Sequence, residues 1–219
     1  MGALTADCPQ FREITFVIID FEGTTPRGYP PQPIEVAALA LSFRAAGGWE
    51  RIGVFESLMR PPAFAPITPL GTRQTGITAE MVAGAPAAGE ALAALDARLT
   101  AGPYLLVAHH ASIESGMIFR HREACPVMAA TDLIDTIRLA KYLLPDLGNY
   151  RLDTLLAHYK IPRPADRHRA MADVKVTAEV FGRLIDDADA TGAFKSLSAL
   201  KETAGCRAKA TEPAQSGLF

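Results

Sequence analysis

The 219-residue sequence is poor in cysteine, in aromatic residues and in net charge. Its three cysteines, Cys8, Cys125 and Cys206, are far apart, odd in number and form no metal-type pair, which suits a reducing compartment better than a disulfide framework. With 22 Lys and Arg against 24 Asp and Glu, the formal net charge is −2. A large basic field is therefore absent, and any phosphate-bearing partner must be held locally rather than by bulk attraction. Apolar runs such as 36–41 are far too short to cross a bilayer, and no basic segment followed by an apolar one stands at the N-terminus. Met1-Gly2 begins like a myristoylation signal, but Ala6 stands where Ser or Thr is needed. The expectation is a cytoplasmic protein without a membrane partner.

What is present is enough apolar residue, 49% of the chain, to bury one sizeable core. Ile14 to Ile19 is an apolar run rich in β-branched residues that ends abruptly at Asp20, the pattern of a strand buried on both faces. Ile34 to Phe43 and Arg51 to Met59, with Gly47-Gly48 between them, predict two more strands and a turn, so the first three strands read as a meander. A loop rich in Pro, Gly and Thr from Arg60 to Pro86 leads into a helix over 87–99. Tyr104 to Ala108 predicts another buried strand, ending at His109-His110 before a helix over 112–122. Thr131 to Asp135 reads as a short edge strand, followed by helices over 136–144 and 151–159. In the last strong element, about 169–188, Ala170, Val174, Thr177, Phe181, Leu184 and Ala188 recur at spacings of four and three, which makes one buried stripe. An extension over 191–219 is expected to be partly helical and then flexible from Cys206.

Asp20 and Glu22 lie two apart at the end of a buried strand, so both carboxylates point to the same side. Converging carboxylates repel unless a cation neutralises them, and hard divalent ions such as Mg²⁺ prefer carboxylate oxygen. Taken alone, so short a pattern reads first as a couple of solvated turn residues beside Gly23. Asp173 borders the buried stripe, where it can reach the top of the sheet. His168 is five residues earlier, roughly 140° around an ideal helix, so the two share a face only if His168 lies on the loop entering the helix. Pro162, Pro164 and Asp166 favour that placement, and a helix N-terminus helps to keep the imidazole neutral. His121 and His158 have no carboxylate pattern around them.

In combination these segments resemble the DEDDh, DnaQ-like exonuclease family. Asp20-Phe21-Glu22-Gly23-Thr24-Thr25 after an apolar run resembles its first motif. Ala108-His109-His110-Ala111-Ser112-Ile113-Glu114 resembles the second, A-H-N-A-x-F-D, with Glu114 in place of Asp and His110 in place of Asn. His168-Arg169-Ala170-Met171-Ala172-Asp173 fits the third, H-x-A-x-x-D. Gly76 to Val82 and Asp135-Thr136 with Leu139-Ala140 resemble segments between them, so the likeness covers about 14–188.

The resemblance implies an α/β, RNase H-like fold: a mixed five-stranded sheet, its first three strands antiparallel, with helices on both faces. The exonuclease domain would span 10–190. It also implies a metal-dependent 3′→5′ exonuclease with two Mg²⁺ or Mn²⁺ ions held by Asp20, Glu22, Asp173 and, less directly, Glu114, and with His168 as the base that takes a proton from water. Glu114 adds a methylene to the usual carboxylate and is read as a working substitute. Phe21, Gly23, Thr24, His110 and Ile113 are the expected substrate contacts, with the loop around Tyr29 to Pro33 and Met117 as further walls. The partner implied is single-stranded or 3′-ended DNA or RNA. Related RNases pair to complete their substrate surface, so a homodimer is among the partners considered. Two competing readings are a binding module that lost turnover through the changes at 110 and 114, and a metal phosphodiesterase acting on small dinucleotide-like esters.

Overall fold

A computed structural model describes residues 3–46 and 48–209. In chain order the elements are α1 (Leu4–Asp7), α2 (Pro9–Glu13), β1 (Thr15–Thr24), β2 (Gln32–Arg44), β3 (Gly48–Leu58), α3 (Pro69–Thr75), α4 (Ala79–Ala83), α5 (Ala88–Asp96), β4 (Tyr104–Ala108), α6 (Ala111–Arg120), α7 (Pro126–Ala129), β5 (Leu133–Asp135), α8 (Thr136–Leu143), α9 (Leu152–Tyr159), α10 (Ala170–Thr191), α11 (Leu197–Ala204) and β6 (Gly205–Cys206). The sheet has six strands in the order β3-β2-β1-β4-β5-β6. β1, β2 and β3 form the expected antiparallel meander, β4 and β5 run parallel to β1, and β6 returns antiparallel to β5.

Expectations for the sheet edge and for the Pro-rich stretch are corrected. The sheet has six strands rather than five, because Gly205-Cys206 pairs with Leu133 and Ile134; β5 is therefore not the edge, and residue 206 is not where order ends. A two-residue strand carries no alternation from which it could be read. β1 carries both Asp20 and Glu22 near its end, as expected, and runs on to Thr24 with a bulge between Glu22 and Gly23. The Pro-rich stretch before α5 holds two short helices, α3 and α4, capped by the hydroxyls of Thr68 and Thr78, Ser/Thr caps that a reading of composition alone passes over. Of the expected Gly47-Gly48 turn, Gly47 lies outside the described residues, as do Met1-Gly2 and the tail over 210–219; Gly48 opens β3 with a φ of +72°.

Alternation along β1 divides the core between the two sheet faces. Phe16 and Ile18 join a cluster with Val174, Phe181 and Leu184 of α10, while Val17, Ile19 and Phe21 join one with Leu92 of α5 and Met117 and Ile118 of α6. The stripe expected on α10 is buried throughout, each large apolar side chain there contributing roughly 1.5–3 kcal/mol. Leu4 and Phe11 before β1, and Phe194 and Leu200 after α10, complete the first cluster. The same alternation fixes the site: Asp20 and Glu22 continue the Phe16/Ile18 parity and face α10, and so does Glu35, which follows the parity of Ala37 and Leu39 on β2.

Candidate active site

At the end of β1 the apolar ladder gives way to acid. Asp20 and Glu22 look toward the first turn of α10, which supplies Asp173, and the first turn of α6 supplies Glu114 from the other sheet face. Both Asp173 and Glu114 are buried. All four acids line one cleft of about 880 Å³ together with Phe21, His109, His110, Ile113, Arg167 and His168. One ligand atom each from Glu22, His168 and Asp173 lies within 4.8 Å of the others. Two residues far along the chain from β1 thus meet it, Asp173 in the first turn of α10 and His168 in the loop before it.

His168 lies outside the helix, as the spacing required. Its φ is +68°, a left-handed turn that breaks the 140° relation and lets its ring meet Asp173. His110, the N-cap residue of α6, is also left-handed, at φ +78°, and makes no side-chain cap bond. Asn, Asp and His are the side chains most often found in that conformation. His110 is therefore a side chain suited to the left-handed turn that opens α6, which the sequence motif by itself did not disclose.

The electrostatics follow from burial. Asp20 is held well above the ordinary carboxylate range, first by burial and then by the charges of Glu114, Glu22 and Asp173. Glu22 is pushed up to about 8 by burial, with Asp173 and Glu35 adding to it, and burial likewise raises Glu114 to about 8. Oε2 of Glu114 and Oδ1 of Asp173 are buried without a hydrogen-bond partner. Unpartnered buried carboxylate oxygens are costly. A cluster of oxygen donors with that deficit fits hard divalent cations.

Two arginines near the cluster were not singled out by the motifs. Arg167, one residue before His168, pairs with Asp173 through Nη1 and with Oδ1 of Asp153 through Nε at 2.9 Å. Arg169 forms a two-pronged pair with Glu35, Nη2 to Oε1 at 2.6 Å and Nε to Oε2 at 3.1 Å, and Glu35 Oε2 also accepts from the backbone N–H of Ala170 at 2.8 Å. Arg169 gives no side-chain cap to α10, so a carboxylate from β2 satisfies that helix end instead. The signal was present: Glu35 is the one acid inside the otherwise apolar run from 34 to 41.

His109 is a further addition. Its Nδ1 is 2.9 Å from Thr136 Oγ1 and it also meets the backbone of Tyr150, while burial lowers it to about 4 and keeps the ring neutral. It ties the tip of β4 to the start of α8 and to the loop before α9. Of the expected substrate contacts, Phe21, His110 and Ile113 line the cleft, whereas Gly23, Thr24, Met117 and the loop around Tyr29 to Pro33 do not. A side chain at Gly23 would meet the carbonyl of Gln32 and the end of Met117 at 3.1 Å, and the Thr24 hydroxyl donates to the Ala65 carbonyl at 3.3 Å. Both serve packing at the strand end.

Known proteins resemble this arrangement. The exonuclease family RNase_T matches residues 17–181. A DNA polymerase III of PolC type from Caldanaerobacter subterraneus subsp. tengcongensis is 29% identical over 195 residues, 89% of this chain but only 13% of the polymerase. Exonuclease X, solved in complex with 5′-overhanging duplex DNA, superposes with a TM-score of 0.57 at 26% identity, covering 81% of this chain and 93% of that one. The nuclease domain of 3′hExo, a DEDDh family member bound to rAMP, does so with 0.66 at 19% identity, over 80% and 93%; at that identity the likeness speaks for the fold.

Proposed function

The chain belongs to the exonuclease family, and from that premise we propose that it removes nucleotides from the 3′ end of single-stranded or 3′-ended DNA or RNA. Asp20, Glu22, Asp173 and Glu114 would hold two divalent ions, Mg²⁺ or Mn²⁺, and the product would be a nucleoside 5′-monophosphate. The observation that carries the proposal is the convergence of Glu22, His168 and Asp173 within 4.8 Å, beside carboxylates that burial leaves short of positive charge.

When bound, such ions supply charge neutralisation and Lewis acidity for in-line attack on a phosphodiester. The chain's own groups do the rest. His168 accepts the proton of the attacking water, a step worth about 10²–10⁴-fold, and the Glu35–Arg169 pair keeps the His168 turn seated on β2. Phe21 and Ile113 offer apolar surface to the terminal base, where stacking tolerates any base identity. The net charge of −2 is consistent with phosphate affinity that resides in the bound cations.

Incubation with 3′- and 5′-labelled single-stranded DNA and RNA in Mg²⁺, Mn²⁺ or EDTA tests the proposal. Stepwise shortening from the 3′ end that EDTA abolishes is the expected result. Shortening from the 5′ end, cleavage that persists in EDTA, or turnover confined to dinucleotide-like esters would each overturn it.

A further inference from the structure

Beyond the tip of β1 two loops meet, one joining β1 to β2 and one joining β3 to α3. From residue 23 to 34 and from 59 to 79 the sequence carries Arg27, Arg60 and Arg73 and not one Asp or Glu. All three arginines are exposed, and none takes part in an ion pair among the described residues. In a protein of net charge −2, the charged side chains of these two loops are thus all positive. The same loops expose two aromatic rings: Tyr29 is 57% and Phe64 49% exposed, yet their centroids are 4.9 Å apart at 37°.

The pair is held in place from below. Ala65, next to Phe64, is fully buried and its carbonyl accepts from Thr24. Thr24 is two residues past Glu22 on β1, about 7 Å along the strand. The loop carrying Tyr29 is pinned to α6, the helix of Glu114, by Arg120 Nη2 donating to the Pro31 carbonyl at 2.9 Å. The aromatic pair therefore stands on backbone anchored to the strand of Glu22 and to the helix of Glu114, within two segments that carry no carboxylate to repel phosphate.

We propose that Tyr29 and Phe64, flanked by Arg27 and Arg60, form a stacking platform for a base of single-stranded nucleic acid upstream of the nucleotide being removed. Exposed aromatic faces with arginines beside them are the elements by which single strands are held without regard to sequence. The acidic cleft would repel the strand on its own, so the acid-free loops mark the path along which the rest of it can leave. The proposal rests on the nuclease reading above for the identity of the partner.

The test measures binding apart from turnover. With the full chain in EDTA, anisotropy of a fluorescein-labelled 20-mer of thymidine and quenching of 2-aminopurine placed at successive positions from the 3′ end report the contact. Tyr29→Ala with Phe64→Ala should weaken binding of the 20-mer by about tenfold and remove the quenching at an internal position, while Mg²⁺-dependent cleavage of a dinucleotide is unchanged. Arg27→Gln and Arg60→Gln should each reduce the slope of log affinity against log salt by about 0.7. Unchanged affinity and quenching in the double variant would overturn the platform and leave the pair to a protein partner. Equal losses on dinucleotide and 20-mer would also overturn it, as a loss of site structure. Binding and quenching without any cleavage by the unmutated protein would instead sink the nuclease reading and leave the platform standing.

Discussion

Glu22 on β1 and Glu35 on β2 face each other across the ladder, both turned toward α10, and they meet opposite fates. Glu35, at 6% exposure, receives the Arg169 guanidinium and the first N–H of α10. Glu22 receives no comparable partner; burial and the neighbouring charges of Asp173 and Glu35 push it up to about 8. A buried carboxylate with its own cation is a clamp, whereas one without is, under the proposed function, the seat for a cation from solution. The two roles sit side by side, and the clamp fixes the very turn that brings His168 to the seat.

The largest effect that would break this contrast is on turnover. Asp20→Ala or Asp173→Ala should abolish metal-dependent cleavage of a 3′-labelled oligonucleotide; cleavage at the unmutated rate in Asp173→Ala would remove Asp173 from the ligand set. The glutamate pair gives a contrast of sign in thermal unfolding without metal. Glu35→Gln breaks charged hydrogen bonds, at a cost of about 2 kcal/mol, and should lower Tm by about 6 °C. Above about pH 8, where Glu22 is charged, Glu22→Gln removes repulsion and should raise Tm, while lowering the affinity for Mn²⁺ measured by calorimetry. Falls in Tm of equal size in both variants would end the distinction between clamp and seat.

A smaller effect is expected with pH. Glu22 and Glu114 rise from ordinary values near 4.5 to about 8, so the folded chain binds their protons more tightly than the unfolded chain does. Their contribution to stability is therefore greatest below about pH 4.5 and declines as pH rises toward 8. Metal-free Tm should fall across that window, and Mg²⁺ should restore it increasingly at the higher pH, since metal binding needs the deprotonated groups. A metal-free Tm that rises from pH 5 to 8 at fixed salt would contradict this. The smallest effect belongs to Glu114→Asp, which restores the family's usual residue and should preserve or raise the initial rate of cleavage; a large loss would show the site to be fitted to the longer side chain.

Much of this was legible because it is local. The apolar run before Asp20, the stripe on α10 and the strand 104–108 ending at His109 follow from periodicity, which burial in one face or both imposes on the chain directly. The motif order pointed to the acids, and the prolines near His168 to a non-helical placement. Other features left little trace. Gly205-Cys206 became a strand only because β5 offered an edge, and Thr24 turned out to bond Ala65 instead of lining the cleft because a bulge after Glu22 redirects the strand end.

The sequence by itself determined which residues are chemical and which are core, since side-chain type and spacing act within a few residues of chain. The tertiary structure decided which carboxylate would be neutralised from within. Glu22 and Glu35 are both glutamates in apolar surroundings, and only the crossing of α10 over the sheet puts Arg169 against one and leaves the other facing Asp173. Electrostatic interaction depends on distance in space and on burial, and neither can be read from separation along the chain.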